Sequence, residues 1–319
     1  GQIGWRSYGP DCRLRSASFL NHNGALLESK PGRDNDLSAK GGRLFLFLQW
    51  EYHPDWLAQP HTMLPPVFYH YFRTPLPYHS TWLLQESLHR IQLEARRSNS
   101  HQDILLLLQH RPVYTAGRRQ VGPELDKERD RLTRLGADFI AASRGGQLTY
   151  HGPGQIVGYP LLDLSRYDPV MGARDYVCRM EKLLKLHLRE AHNLESSPSE
   201  HTGVFLDPTT KVASIGVQVR HRLTSHGFAI NVTHEPRAWF DQIVACGLDD
   251  VKAGSIESAT GKNLSVDNEI AGLVERFGRL YGREMRPLDV AQHNPSTQAI
   301  LALTKEAEEM GDCLRAPRR

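Results

Sequence analysis

The order of apolar and polar positions divides the chain near residue 67. Before that point no pattern lasts: residues 21–43 have a linker's Gly, Asn, Ser and charge, and residues 44–66 break apolar bursts with Pro and His. From Val67 the pattern is regular. Val67 to Arg73 reads as a strand, and Ser80 or Thr81 is placed to cap a helix with the stripe Leu84, Leu88, Ile91 and Ala95. Ile104 to Gln109 is a continuous apolar run of strand length, which predicts burial on both faces. Ala137 to Ala142 and Ile156 to Leu164 predict further strands. Arg174 to Ala191 predicts a helix buried through Val177, Met180, Leu184 and Leu188. Asp267 to Gly282 predicts another, with Ile270, Leu273, Val274, Phe277 and Leu280 inward.

Lys211 to Arg220 and Ser225 to Thr233 predict two strands joined by a short turn. Ala213, Ile215, Val217 and Val219 share one face of the first at period two. In the second, Phe228, Ile230 and Val232 face one way, and Gly227, Ala229 and Asn231 the other. A strand face of such small residues leaves room for something to lie against the sheet. Hairpins and helices without strict alternation predict a mixed β-sheet flanked by helices, an α/β (α+β) arrangement rather than a doubly wound parallel one. The expected organisation is an N-terminal extension over 1–66, a catalytic domain over 67–285, and a polar C-terminal tail over 286–319 with a short helix around Gln298 to Met310.

Composition changes this picture little. A formal charge of +3 over 319 residues gives no reason to expect a nucleic-acid partner. The four cysteines (Cys12, Cys178, Cys246, Cys313) lack the paired spacing of zinc sites and read as free thiols. No apolar run is long enough to span a bilayer. Residues 1–20 carry Arg6, Arg13 and Arg15, several serines, and Asp11 as the only acid, the bias of an organelle transit segment; the alternative is an unstructured leader.

Candidate chemistry concentrates in Arg144 to Gln155, where four glycines and a proline fall within twelve residues. Such a stretch costs backbone entropy. It suits either a loop that wraps a ligand with free N–H groups or a tight structural turn between two strands. No Gly-Lys-Ser/Thr ends it, so it is not a Walker-type phosphate loop. Lys211 opens a strand, and Cys246 sits in the small-residue run Val-Ala-Cys-Gly-Leu. Singly, the lysine reads as a solvated charge and the cysteine as a small hydrophobe. As a pair they are coherent: an amine beside a thiol lowers its pKa or accepts its proton, and a thiolate is suited to attacking a thioester.

The stretch RGGQLTYHGPGQIVGY, from Arg144 to Tyr159, closely resembles the signature of the lipoyl(octanoyl) transferases. LLLLQHRPVYTAGRR, ending at Arg119, resembles the strand and loop that precede it in that family. KVASIGVQVRHRLTSHGFAINV, from Lys211, resembles the second block, and the segment around Cys246 with GSIESATGKNLSV resembles the third. The likeness covers roughly Val67 to Glu284. It departs at Ala245, where a proline commonly precedes the family's nucleophile, and modestly at Arg111-Pro112.

The resemblance implies the fold of the biotin and lipoate protein ligases, with the acyl chain in a tunnel beside the sheet. It implies Cys246 as the nucleophile that becomes an acyl-thioester and Lys211 as the group that shuttles its proton. Substrate-binding walls follow: Arg144, Gly145, Gly146, Gln147, Leu148, Thr149, Tyr150 and His151; then Ser214, Ile215 and Gly216; then Gly227, Phe228 and Ala229. The implied donor is octanoyl-acyl carrier protein. The implied acceptors are the lipoyl domains of 2-oxoacid dehydrogenases and the glycine cleavage H protein, with no metal and no cofactor required. The Arg-bearing leader and the added termini imply a mitochondrial member, with a cytoplasmic one as the alternative. Two rival readings stand beside it: an ATP-dependent lipoate-protein ligase, which gives Cys246 no nucleophilic role, and a non-catalytic protein that binds lipoyl domains.

Overall fold

The computed structural model describes residues 64–117, 122–142, 148–243 and 250–318. The expected extension over 1–66 therefore lies outside the described residues up to residue 63.

A mixed sheet forms the centre. Its strands in spatial order are β10 (Lys252–Ala253), β8 (Thr210–Arg220), β9 (Leu223–Asn231), β6 (Gln155–Leu161), β2 (Asp103–Leu108), β1 (Val67–Tyr71) and β11 (Met285–Pro287), with β7 (Val204–Asp207) also paired to β8. Pairings β1–β2, β1–β11 and β10–β8 are parallel, and β2–β6, β6–β9, β8–β9 and β7–β8 antiparallel. The expected mixed sheet is thus observed. β2 is buried at every position because helices cover both faces.

On one face, α3 (Ala173–His192) and α6 (Val266–Tyr281) pack Met180, Leu184, Leu273 and Phe277 onto Leu105, Phe228 and Ile230. The other face carries α1 (Tyr78–Arg96) and α7 (Pro295–Glu309), whose Leu84, Leu88, Ile300 and Leu303 meet Leu106, Val157 and Ala229. A smaller three-stranded sheet, β4 (Asp138–Ala141), β3 (Val113–Ala116) and β5 (Thr149–His151), packs with α2 (Pro123–Arg134) and α4 (Glu235–Phe240) around Tyr114, Tyr150 and Trp239. The remaining helix, α5 (Ile256–Thr260), is capped by the Ser255 hydroxyl.

Helix boundaries shift for local reasons. α1 starts at Tyr78, before the expected Ser80 or Thr81 cap, because Pro77 supplies an extended residue and the Thr81 hydroxyl donates back to the Pro77 carbonyl. In α3 the buried position is Tyr176 rather than Val177, and in α6 Tyr281 is buried while Leu280 is only partly covered. Of residues 286–319, expected as a polar tail, the described part, 286–318, is folded onto the domain. A capping box at Asn294 and Thr297 starts α7, and only the stripe Thr297, Ile300, Leu303 and Ala307 is buried, so the composition reads as polar.

The β8–β9 hairpin turns through His221 and Arg222, both at positive φ (53° and 67°) without glycine or asparagine. Their carbonyls are held from outside: Arg96 donates to His221 O and the Leu164 N–H to Arg222 O. Those bonds offset the strain and fix the register of the whole hairpin.

Candidate active site

The hairpin brings two of the expected walls side by side. Ser214 pairs with Ala229, Ile215 with Phe228, and Gly216 with Gly227. Alternation then separates them. Ile215 and Phe228 point into the core beneath α3 and α6. Ser214 and Ala229 instead line a cavity on the opposite side, together with Lys211, Val212, Ala213, Gln155, Asn231, Phe240 and residues 251–253. Gly227 is required by close strand approach, since a Cβ there would sit 2.0 Å from the Gly158 carbonyl oxygen. Ile215, Gly216, Gly227 and Phe228 do not line the cavity.

Lys211, half-buried at the start of β8, lies on this cavity. Its Nζ stands 5.5 Å from the centre of the Phe205 ring, and its carbonyl accepts the Gly254 N–H at 2.9 Å, which fastens the end of β10 beside it. A side chain at Gly203 would collide with the lysine stem at 2.6 Å, so that glycine keeps a lane open for it. Cys246 lies outside the described residues. Phe240 before it and Val251 after it both line the cavity.

Of the glycine-rich segment, Arg144, Gly145, Gly146 and Gln147 lie outside the described residues, while Leu148 to His151 are buried in or beside β5. Tyr150 stacks on Trp239 (centroids 5.3 Å apart, rings 10° apart), and burial raises its phenol well above the ordinary range. The Tyr150 hydroxyl and the Thr149 Oγ1 are buried with no hydrogen bond among the described residues. The second half of the segment is a tight turn between β5 and β6. A Cβ on Gly152 would strike the Tyr150 hydroxyl at 1.9 Å, and Gly154, at φ 83°, presses against Thr233. The turn reading, left open by the sequence, therefore accounts for Gly152 and Gly154.

Leu148 to His151 do not themselves line the cavity, but a polar chain joins them to it. Gln155 Nε2 donates to Asn231 Oδ1 at 2.9 Å, and Asn231 Nδ2 donates to the Gly254 carbonyl at 2.9 Å. Gln155 Oε1 is then an acceptor at 2.7 Å from His151 Nδ1, so that nitrogen carries a proton and donates it to the amide. Behind it, His110 is completely buried and donates from Nδ1 to the Leu76 carbonyl at 3.1 Å while Nε2 takes the Tyr159 hydroxyl proton at 2.7 Å. Burial, with His151 as a second cause, lowers His110 to about 3, so it is neutral at physiological pH.

The arrangement offers an amine beside a cleft, an amide pair across two strands, and a histidine oriented by one of those amides. Groups of these kinds are able to hold a polar substituent and to carry a proton. Sequence reading missed Gln155, Val212, Ala213, Phe240 and residues 251–253 as cavity lining, and marked Asn231 only as part of the open strand face. The available signal was an asparagine buried among Gly, Ala and Ile in a strand, a polar group that needs a partner.

With this geometry in place, the comparisons with known proteins fall into line. Residues 77–278 match the family described as the lipoyl protein ligase A/B catalytic domain. The chain belongs to that family. It is 36% identical over 202 residues to the mitochondrial octanoyl-[acyl-carrier-protein]:protein N-octanoyltransferase of Danio rerio, covering 63% of this chain and 87% of the relative. It is 34% identical over 209 residues to an octanoyltransferase of Koribacter versatilis, covering 65% and 83%. Among solved structures it resembles lipoate-protein ligase A bound with ATP (TM-score 0.51, 16% identity, 76% of this chain and 95% of that one). It also resembles a bipartite lipoate protein ligase of Thermoplasma acidophilum, described with its E2 lipoyl domain (TM-score 0.53, 16% identity, 76% and 93%). At such identities the structural likeness speaks for the fold, and the lipoate-ligase architecture expected from the sequence is the one observed.

Proposed function

We propose that the chain is an octanoyltransferase that moves an octanoyl group from acyl carrier protein to a lysine of a lipoyl domain through a thioester on Cys246. The observation that carries this reading is the cavity: Lys211 lines it together with Phe240 and Val251, the residues on either side of Cys246 in sequence. The relatives named as octanoyltransferases give the acyl group and, in the Danio rerio protein, the carrier-protein donor.

In the first step Lys211 takes the Cys246 proton, the thiolate attacks the thioester carbonyl, a new C–S bond forms as the carrier's acyl C–S bond breaks, and the carrier thiol leaves with that proton. In the second, the acceptor amine attacks the acyl-enzyme, an amide forms, and the cysteine thiolate is released. The incoming amine must lose a proton, and Lys211, which lines the cavity, is the group suited to take it. Backbone N–H groups near the cysteine stabilise the developing oxyanion. Ser214 and Ala229 leave the sheet face low enough for an alkyl chain, and His151, Gln155 and Asn231 set the polar edge.

The catalytic unit in this reading is 67–285, which contains the matched segment, and 1–66 is an extension whose Arg-rich start directs the protein to mitochondria. The mitochondrial relative supports that placement. Transfer from octanoyl-acyl carrier protein to a lipoyl domain without ATP is the expected result for the purified protein. A requirement for ATP with free octanoate as donor would favour the ligase reading instead.

A further inference from the structure

Away from this cavity, the interface of α3 and α6 holds a group of side chains that acyl transfer does not use. The buried stripe of α3 runs Tyr176, Met180, Leu183, Leu184, His187 and Leu188, so an imidazole occupies a place otherwise suited to an aliphatic residue. His187 and Glu269 are both buried, and His192, at the last position of α3, is partly buried with its ring turned inward. Both His187 Nε2 (2.9 Å) and His192 Nε2 (2.7 Å) aim at one atom, Glu269 Oε2. All three ligating atoms lie within 4.8 Å of one another. The other ring nitrogen of His187, Nδ1, is buried without a hydrogen bond among the described residues. One shared carboxylate oxygen is thin compensation for burying two imidazoles.

We infer that His187, His192 and Glu269 form a binding site for a divalent transition metal of the zinc class, clamping the end of α3 to the start of α6. Two imidazoles and one carboxylate are the donor set that such borderline ions take, with bonds of about 2.0–2.2 Å. Ligands around a tetrahedral ion at those bond lengths stand about 3.3 Å apart, so each Nε2 needs to move from Glu269 Oε2 by roughly half an ångström. Holding the ion takes the Nε2 lone pair of each imidazole, so in the metal-bound form the proton of each ring sits on Nδ1. The role is structural, because none of the three residues lines the acyl cavity.

The test uses the full chain, freed of metal with a chelator and titrated with zinc(II) by calorimetry. The expected result is one equivalent bound, with X-ray absorption showing only nitrogen and oxygen ligands, including imidazole. His192→Ala is expected to weaken binding at least about tenfold and to abolish the zinc-induced rise in Tm, with octanoyl transfer unchanged. Should that variant not fold, Glu269→Gln, which keeps a hydrogen-bond acceptor, is expected to weaken zinc binding in the same way. No stoichiometric binding by the wild type, equal affinity in the variants, or sulfur in the coordination shell would each overturn the inference.

Discussion

The two faces of the β9 strand do opposite work with adjacent residues. On one, Phe228 and Ile230 are sealed beneath α3 and α6. On the other, Ala229 and Asn231 border the cavity that holds Lys211. The first face is a stability surface, where area buried from water sets the energy. The second keeps side chains small and places an amide where an aliphatic residue would pack better. A single strand thus shows that the site is kept open by what the sheet withholds on one side, while the other side supplies the rigidity.

Substitutions on the two faces should separate activity from stability. The largest effect is expected from Lys211→Ala: loss of the proton-transfer group should lower kcat by about 10²–10⁴, with little change in Tm because the side chain is only half-buried. A comparable drop in Tm would move Lys211 to the structural side. Ile230→Ala, on the sealed face, should cost about 2–5 kcal/mol in urea unfolding while kcat per folded molecule is retained. Loss of activity without loss of stability there would break the division.

The amide pair sits between these extremes. Gln155 and Asn231 face each other across β6 and β9 and share one hydrogen bond. A double-mutant cycle with Gln155→Ala and Asn231→Ala should give a coupling of about 0.5–3 kcal/mol in stability, and each single variant should raise KM more than it lowers kcat. Strict additivity would show that the chain from His151 to Gly254 is incidental.

The smallest effect is a slope. His110 lies below Tyr159 on the same side of the sheet as Ala229, and its folded pKa of about 3 is below its ordinary 6.5. Between those values the unfolded chain holds the extra proton, so stability contributed by neutral His110 is present above pH 6.5 and is lost as pH falls towards 3. His110→Gln should make the rise in stability with pH shallower across that window, by at most about 1.4 kcal/mol per pH unit. An unchanged slope would place the acid sensitivity elsewhere.

Much of this was legible in the residues, and the part that was not has physical causes. β2 announced itself by an unbroken apolar run, and the hairpin by alternation on both strands. β3 and β5 did not, being short strands in a separate three-stranded sheet with β4, buried by aromatics from elsewhere in the chain, Trp239 above all. α2 buries only Leu132, so it left no stripe to read. At the site, the small face of β9 was visible, and so was the asparagine in it. The partner Gln155 was quoted within a motif yet its bond to Asn231 depends on the strand order, which periodicity does not encode. Alternation along β8 and β9 explains why Ile215 and Phe228, named with the walls by resemblance, turn away from the cavity their neighbours line.

The central claim is that the cavity serves a covalent transfer through Cys246, and intact mass spectrometry tests it most directly. After brief incubation with octanoyl-acyl carrier protein and no acceptor, the wild-type chain should gain the mass of one octanoyl group, lose it to hydroxylamine, and pass it to an added lipoyl domain. Cys246→Ala should gain nothing. An adduct that persists in the alanine variant, or a wild type that transfers octanoate without ever carrying it, would contradict the account.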